Sequence, residues 1–160
     1  MQKTLIARVL PAAMLALASG TASAAGFQLL EQNASGIANA YAGSAAVAEN
    51  ASTIFYNPAG MTRLKGSQIY QSGTLIMPDV RFKGTGNPFG TESGDAIIDT
   101  MVGTTFAFWD YSPDLKFGIG VEVPFGLRTG YANGWKGGTY ALGSALANVV
   151  VNPSVAYRIS

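Results

Sequence analysis

One stretch restricts the fold more than any other. Leu115, Phe117, Ile119, Val121, Val123 and Phe125 alternate with Lys116, Gly118, Gly120, Glu122, Pro124 and Gly126, a period of two held for twelve residues. A helix would scatter those apolar side chains around its circumference, whereas a strand sets them all on one face. Val149, Val151, Val155, Tyr157 and Ile159 repeat the pattern against Asn148, Asn152, Ser154, Ala156 and Arg158, with Pro153 interrupting the apolar row. Val102, Phe106 and Phe108 suggest another strand, less clean because Met101, Ala107 and Trp109 point the other way. Residues 69–77 read as a fourth strand with poor alternation. Tyr111-Ser112-Pro113-Asp114 has the composition of a tight turn. The other two connections, about 79–98 and about 128–147, are long and rich in Gly, Thr and Asn.

Composition narrows what such strands can build. Of 160 residues, 48% are hydrophobic and only 12% are charged, about half the charge that a soluble domain usually carries. Mean hydropathy is nevertheless only +0.23, and no apolar run reaches the 18 or more residues of a helical span. Disorder is excluded by the high hydrophobicity and the low net charge. Residues 1–24 have the form of a secretory signal: Lys3 and Arg8, an apolar stretch over 9–18 broken only by Pro11, then Ala22-Ser23-Ala24 as a cleavage site. Its apolar part is too short for a membrane anchor. Cleavage would start the mature chain at Ala25 and leave eight basic and nine acidic residues. Strands of about ten residues, short turns at one end and long loops at the other fit a transmembrane β-barrel. In that arrangement apolar side chains face lipid, while Gly, Glu122, Asn148, Asn152 and Arg158 face the lumen. Tyr70, Phe82, Trp109, Tyr111 and Tyr131 lie near strand ends, where an interfacial aromatic girdle would sit. The competing architecture is a soluble β-sandwich with one wet face, and the signal fits both.

The absences exclude most chemistry. With no Cys and no His, the chain lacks disulfides, thiolate nucleophiles and the commonest general base and metal ligand. No Lys/Arg cluster offers a footprint for nucleic acid. Gly118-Ile119-Gly120 lacks the third Gly of a nucleotide fingerprint, and the run 84–90 lacks a following Lys-Ser/Thr. Asp95 and Asp99 read as solvated loop charges. No enzyme, metal or cofactor signature is present.

Residues 25–64 look helical and irregular, rich in Ala, Ser, Gly and Asn. Ala34, Ala38, Ile37 and Tyr41 recur at i, i+4 spacing, a short helical stripe. Side chains this small build no core of their own, so the segment must pack inside something else. Asn57-Pro58-Ala59-Gly60 is a helix start, with Asn as cap and Pro in the first turn.

Several strings in order resemble the FadL-type outer-membrane transporter family, which moves long-chain fatty acids and other hydrophobic compounds. They are Ala25-Gly26-Phe27-Gln28-Leu29, Ser35-Gly36 with Ala40-Tyr41-Ala42-Gly43, and Asn57-Pro58-Ala59. Phe117-Gly118-Ile119-Gly120, Pro124-Phe125-Gly126-Leu127 and Asn152-Pro153-Ser154-Val155-Ala156-Tyr157-Arg158 complete the set. The resemblance implies an all-β, 14-stranded antiparallel transmembrane barrel with an N-terminal helical plug. Residues 25–66 would be the plug (the hatch) and 67–160 the first four strands of a barrel that this chain carries incompletely. It implies passive uptake through a plugged barrel in the Gram-negative outer membrane, with lateral exit beside an inward kink in the third strand. The partners implied are a hydrophobic small molecule, fatty acid or aromatic hydrocarbon, and outer-membrane lipid, with a monomer at full length and no cofactor. Phe27 and Leu29 would contact the ligand tail at a displaceable end, or Phe27 would simply anchor the plug. Asn57, Pro58 and Ala59 would hold the plug's last helix against the wall. Pro124, Phe125 and Gly126 would form the lateral opening, since Pro124 has no donor amide and Gly126 tolerates bent geometry; the alternative is a strand ending at its loop. The chain stops at Ser160 inside a strand-like run, without the family's aromatic end. A secreted or surface β-protein with a structural or adhesive role, and a complete small barrel, remain the competing classes.

Overall fold

The computed structural model describes residues 28–83, 89–92 and 96–159. The signal, Phe27, Asp95 and most of the run 84–90 lie outside them. Four strands form one antiparallel meander in chain order: β1 (Gln68–Ile76), β2 (Thr100–Asp110), β3 (Leu115–Gly130) and β4 (Gly143–Tyr157). The turn between β2 and β3 is the tight one that the sequence predicts, closed by Tyr111 N–H donating to Leu115 O at 3.2 Å. The two long connections leave from the opposite end of the sheet. The second is shorter than its composition predicts, because β3 runs on to Gly130 and β4 begins at Gly143. Gly126–Gly130 and Gly143–Ala147 show no hydropathy alternation, yet their backbones pair from Gly126↔Ala147 to Gly130↔Gly143. Backbone pairing needs no side-chain pattern, so the extension was invisible to periodicity. No helix among the described residues is long and apolar enough to cross a membrane.

The sheet has an open face and an enclosed face. Ile69, Leu75, Met101, Trp109, Val149, Val151, Val155 and Tyr157 are all more than half exposed on the open side. On β3, Lys116, Gly118, Gly120 and Glu122 turn inward, as the alternation predicts. On β2 the expectation of apolar side chains facing outward fails: Val102, Phe106 and Phe108 are buried on the enclosed face. The reason is what lies there. The N-terminal segment packs on that face, and its Ala51, Ile54 and Met61 form one core with Phe106, Phe108 and Ala156. Burying each large side chain of this group contributes about 1.5–3 kcal/mol. Tyr70 also turns inward rather than joining a girdle, packs on that core and accepts a hydrogen bond from Ala34 N–H at 3.1 Å. Tyr131 is stacked on Trp135 between the long loops, ring centroids 3.9 Å apart, with Phe82 edge-on to Trp135.

Within the N-terminal segment the helical stripe around Tyr41 shrinks to one 3-10 turn, Ile37–Asn39, and Ile37 stays half exposed. Ala40 and Tyr41 both take positive φ, 52° and 61°, which stops the helix. The bend swings the Tyr41 ring over Gly36 and lets its hydroxyl donate to Asn33 O at 3.0 Å. Helix α1 (Thr53–Tyr56) follows, then the 3-10 helix Pro58–Arg63, which begins where Asn57 and Pro58 predict.

The helices reach the sheet because Gly118 leaves a hollow. A Cβ there would meet Met61 Sδ at 2.7 Å and Ile54 Cδ1 at 2.8 Å. Gly118→Leu should therefore cost about 1–3 kcal/mol by overpacking. The expected result is a clear rise in protease cleavage within residues 33–64 of the assembled protein. Unchanged protection would show that the segment does not depend on this contact.

Candidate functional site

Strands β2 and β3 pair only from Thr105↔Val121 to Asp110↔Lys116. Beyond Val121, β3 leaves its partner and stays paired with β4 alone. The register of β3 on β4 jumps there, from Glu122↔Val150 to Phe125↔Asn148. Val123 and Pro124 thus oppose the single residue Val149, which is a bulge that bends the strand. Pro124 has no amide to offer a neighbour, so the departure begins where the ladder is weakest. At its far end the gap is closed again by residues from the first long loop. Ile97 bridges Thr129, Ile98 N–H donates to Arg128 O at 3.2 Å, and Gly130 N–H donates to Ala96 O at 2.9 Å. A window remains between β2 and β3, bounded by these contacts and by the Thr105↔Val121 pair.

The start of the described N-terminal segment fills the enclosed side of that window. Gln28 bridges Phe125, and Leu29 N–H donates to Pro124 O at 2.9 Å. The fully buried Gln32 donates from its amide nitrogen to Val123 O at 2.8 Å and to Leu29 O at 3.1 Å. Thr104 of β2 donates its hydroxyl to Gln32 O at 2.8 Å. Gln32 therefore links β2 to β3 where their backbones do not meet. Leu29 lies over Gly126, its Cδ1 only 3.3 Å from where a Cβ would stand. A cleft of about 570 Å³ opens at this point, lined by Leu29, Met101, Val123, Gly126, Leu127 and Leu146 among others. Its walls are mainly apolar and include Met101, which is 76% exposed on the open face.

A second set of contacts fixes the other end of the segment. Lys116, buried on the enclosed face, donates to Leu64 O, pairs with Asp110 and lies 5.2 Å from the centre of the Phe108 ring. Arg158 donates to Thr62 O. Both cations thus meet carbonyls at the C-terminal end of the 3-10 helix, the end that favours positive charge. Between the two ends, Tyr56 donates its hydroxyl to Leu30 O at 2.9 Å. Burial, with Tyr41 beside it, holds the Tyr56 phenol well above its ordinary value, so it remains a donor. Among the described residues no group of His, Cys, Asp or Glu is arranged to hold a metal ion.

The residues expected to act together fall into two places. Leu29 meets Pro124, Phe125 and Gly126 at the window. Asn57, Pro58 and Ala59 do not reach it. Asn57 Oδ1 accepts from Ala59 N–H at 3.2 Å, and its amide donates to Ala45 O at 2.8 Å, so its bonds stay inside the segment. The contacts of the last helix with the wall run through Met61, Thr62 O and Leu64 O. Sequence reasoning missed Gln32, Thr104 and the clamp made by Lys116. A lone cation on the glycine-rich face of β3 was a usable signal for Lys116. Gln32 gave none, because the segment around it has no pattern.

A family model described as outer membrane protein transport protein (OMPP1/FadL/TodX) matches residues 15–160. Outer membrane protein P1 of Haemophilus influenzae is 33% identical over 173 residues, covering 95% of this chain and 36% of its own length. The 47 kDa outer membrane protein of Pasteurella multocida is 34% identical over 131 residues, covering 82% of this chain and 30% of its own. The long-chain fatty acid transport protein of Escherichia coli K12 is 32% identical over 161 residues, covering 99% of this chain and 36% of its own. The chain spans about a third of the length of these relatives.

Asn57→Ala removes a helix cap and should cost about 1 kcal/mol. Amide exchange at Ala59 and Gly60 should rise, while that at Leu29 stays unchanged. An equal rise at Leu29 would tie Asn57 to the window.

Proposed function

This chain belongs to the outer membrane protein transport family that includes FadL and TodX, and from that premise we propose that its full-length protein takes up hydrophobic compounds through the outer membrane by a passive route with lateral exit. Residues 25–66 act as a plug and residues 67–160 as part of the barrel wall. The observation that carries this reading is the window between β2 and β3, closed from the enclosed side by Leu29 and Gln32. In hydrocarbon an unpaired strand edge is tolerated only where protein or a water-filled cavity covers it. A short segment held by a few hydrogen bonds covers it here, and such a segment opens at low cost.

The apolar open face of the sheet suits contact with lipid, and the mainly apolar cleft suits a hydrocarbon tail. A ligand inside the barrel displaces the first residues of the plug, Phe27 and Leu29 among them. It then slides past Pro124, Phe125 and Gly126 and leaves sideways between the strands. Asn57, Pro58 and Ala59 keep the rest of the plug in shape while its end moves. The protein works without cofactor or metal, is not an enzyme, and acts as a monomer whose partners are its ligand and the surrounding outer-membrane lipid. The name of the Escherichia coli relative puts long-chain fatty acids among the candidate ligands.

Gly126→Trp tests the route. The indole would fill the cleft and push on Leu29, so uptake of a long-chain fatty acid by cells carrying the full-length variant should fall to near background. Barrel assembly, read from heat-modifiable migration, should be unchanged. Normal uptake in an assembled variant would remove the exit from this stretch.

A further inference from the structure

The cleft beside Leu29 passes through the wall, and its charges are sorted by side. Its lining carries Arg128 and Asp99 among apolar side chains. The bridge Ile97↔Thr129 keeps the register of the pair Thr105↔Val121, so the two strands face each other in step at both ends of the window. Residues directly opposite share a face, and successive residues alternate. A Cβ on Gly126 would point at Leu29 on the enclosed side, and one on Gly130 would point at Ile98. Arg128 stands between these glycines on the same face, opposite Ala145 of β4. Its exposed side chain therefore belongs to the enclosed side, about 7 Å along the strand from the seat of Leu29. Leu127 and Leu146 oppose each other on the other face, where Met101 and Val149 are more than half exposed. Alternation puts Asp99 on that open face, next to β2 and in the row of Met101. Among the described residues neither Arg128 nor Asp99 forms an ion pair.

We propose that Arg128 is the headgroup site of this cleft: it binds the ionised carboxylate of a single-chain amphiphile on the enclosed side, so that the hydrocarbon tail leaves through the window first. A guanidinium presents paired donors in the geometry that a carboxylate accepts. From there the tail runs past Leu29 and Gly126 onto Leu127, Leu146 and Val149, which offer it apolar surface. The opposite orientation fails at both ends. A leading carboxylate meets Asp99 at the outer mouth, and the hydrocarbon beyond offers a charge no partner. A trailing tail laid over Arg128 covers the guanidinium without pairing it, and a covered charge without a partner is costly. The head is therefore the last part of the ligand to leave.

The inference rests on the lateral-exit reading, so its test reads ligand position and not transport. The full-length protein, in detergent micelles at pH 9, is irradiated with dodecanoate carrying a diazirine either beside the carboxyl or at the last carbon. Mass spectrometry then locates the labelled residues. The head probe should mark residues 97–98 and 128–129, and the tail probe should mark Met101, Leu146 and Val149. Arg128→Gln should lower the head-probe yield at those residues about tenfold, the scale of a lost charge-assisted hydrogen bond, while Arg128→Lys keeps most of it. Dodecan-1-ol with the diazirine beside its hydroxyl should label the parent and Arg128→Gln alike. Heat-modifiable migration checks that each variant is assembled. The proposal is overturned if the two probes exchange places, if neither marks the cleft, if Arg128→Gln takes the head probe as the parent does, or if the alcohol is affected as strongly as the carboxylate. The expected labelling combined with normal uptake by Gly126→Trp would overturn the exit route and leave the headgroup site standing.

Discussion

Backbone pairing between β2 and β3 stops at Thr105 and Val121, and the arrangement around it follows from that interruption. A sheet edge left open would expose a row of donors and acceptors, and buried groups of that kind are costly to leave unpaired. The sheet covers its gap from two directions. Residues 96–98 return from the first long loop and meet Arg128, Thr129 and Gly130. Residues 28–32 come from the N-terminal side and meet Val123, Pro124 and Phe125. Neither patch is a continuous strand, so a cleft persists between them. The bulge at Val123 and Pro124 is what keeps β3 on β4 while turning it away from β2.

The segment that closes the gap is held unequally. At its later end Met61 and Ile54 occupy the hollow at Gly118, and Lys116 and Arg158 hold the carbonyls of Leu64 and Thr62. Removing Lys116 would leave Leu64 O and the partly exposed Asp110 without their buried cation. At its earlier end residues 28–32 are attached by the Gln28–Phe125 bridge, which Leu29 N–H closes on Pro124 O, and by Gln32, whose amide donates to Val123 O and whose carbonyl accepts from Thr104. Local opening follows the lowest local stability. A segment fixed at Met61 and held at Leu29 by fewer contacts would open first at Leu29, beside the cleft, in the proposed mechanism.

The strands themselves were legible in the sequence because period-two hydropathy is a direct consequence of pleating. Lys116, Gly118, Gly120 and Glu122 turned to the enclosed side as that periodicity requires. The weak ladder at Pro124 was legible for the same local reason, since a missing amide is a property of one residue. What failed depended on contacts between distant parts of the chain. Val102, Phe106 and Phe108 read as an outer apolar row, but all three are buried on the enclosed face, where Ile54 and Met61 form one core with Phe106 and Phe108. The helical stripe near Tyr41 gave way to a left-handed bend that seats its ring on Gly36 and its hydroxyl on Asn33. Gln32 carried no signal, since its importance comes from Thr104 and Val123, 72 and 91 positions away. Asn57 was legible as a cap, while its distance from the window was not.

The central claim is that undocking of Leu29 from Gly126 opens the route between β2 and β3. It is tested most directly by tying the two together. In the full-length protein, Leu29→Cys with Gly126→Cys places thiols where Leu29 Cδ1 now lies 3.3 Å from the position of a Gly126 Cβ. A short thiol crosslinker would hold the segment down, and a reductant would release it. Uptake of a long-chain fatty acid should be lost on crosslinking and return on reduction. Uptake by the crosslinked protein at the rate of the reduced one would contradict the account.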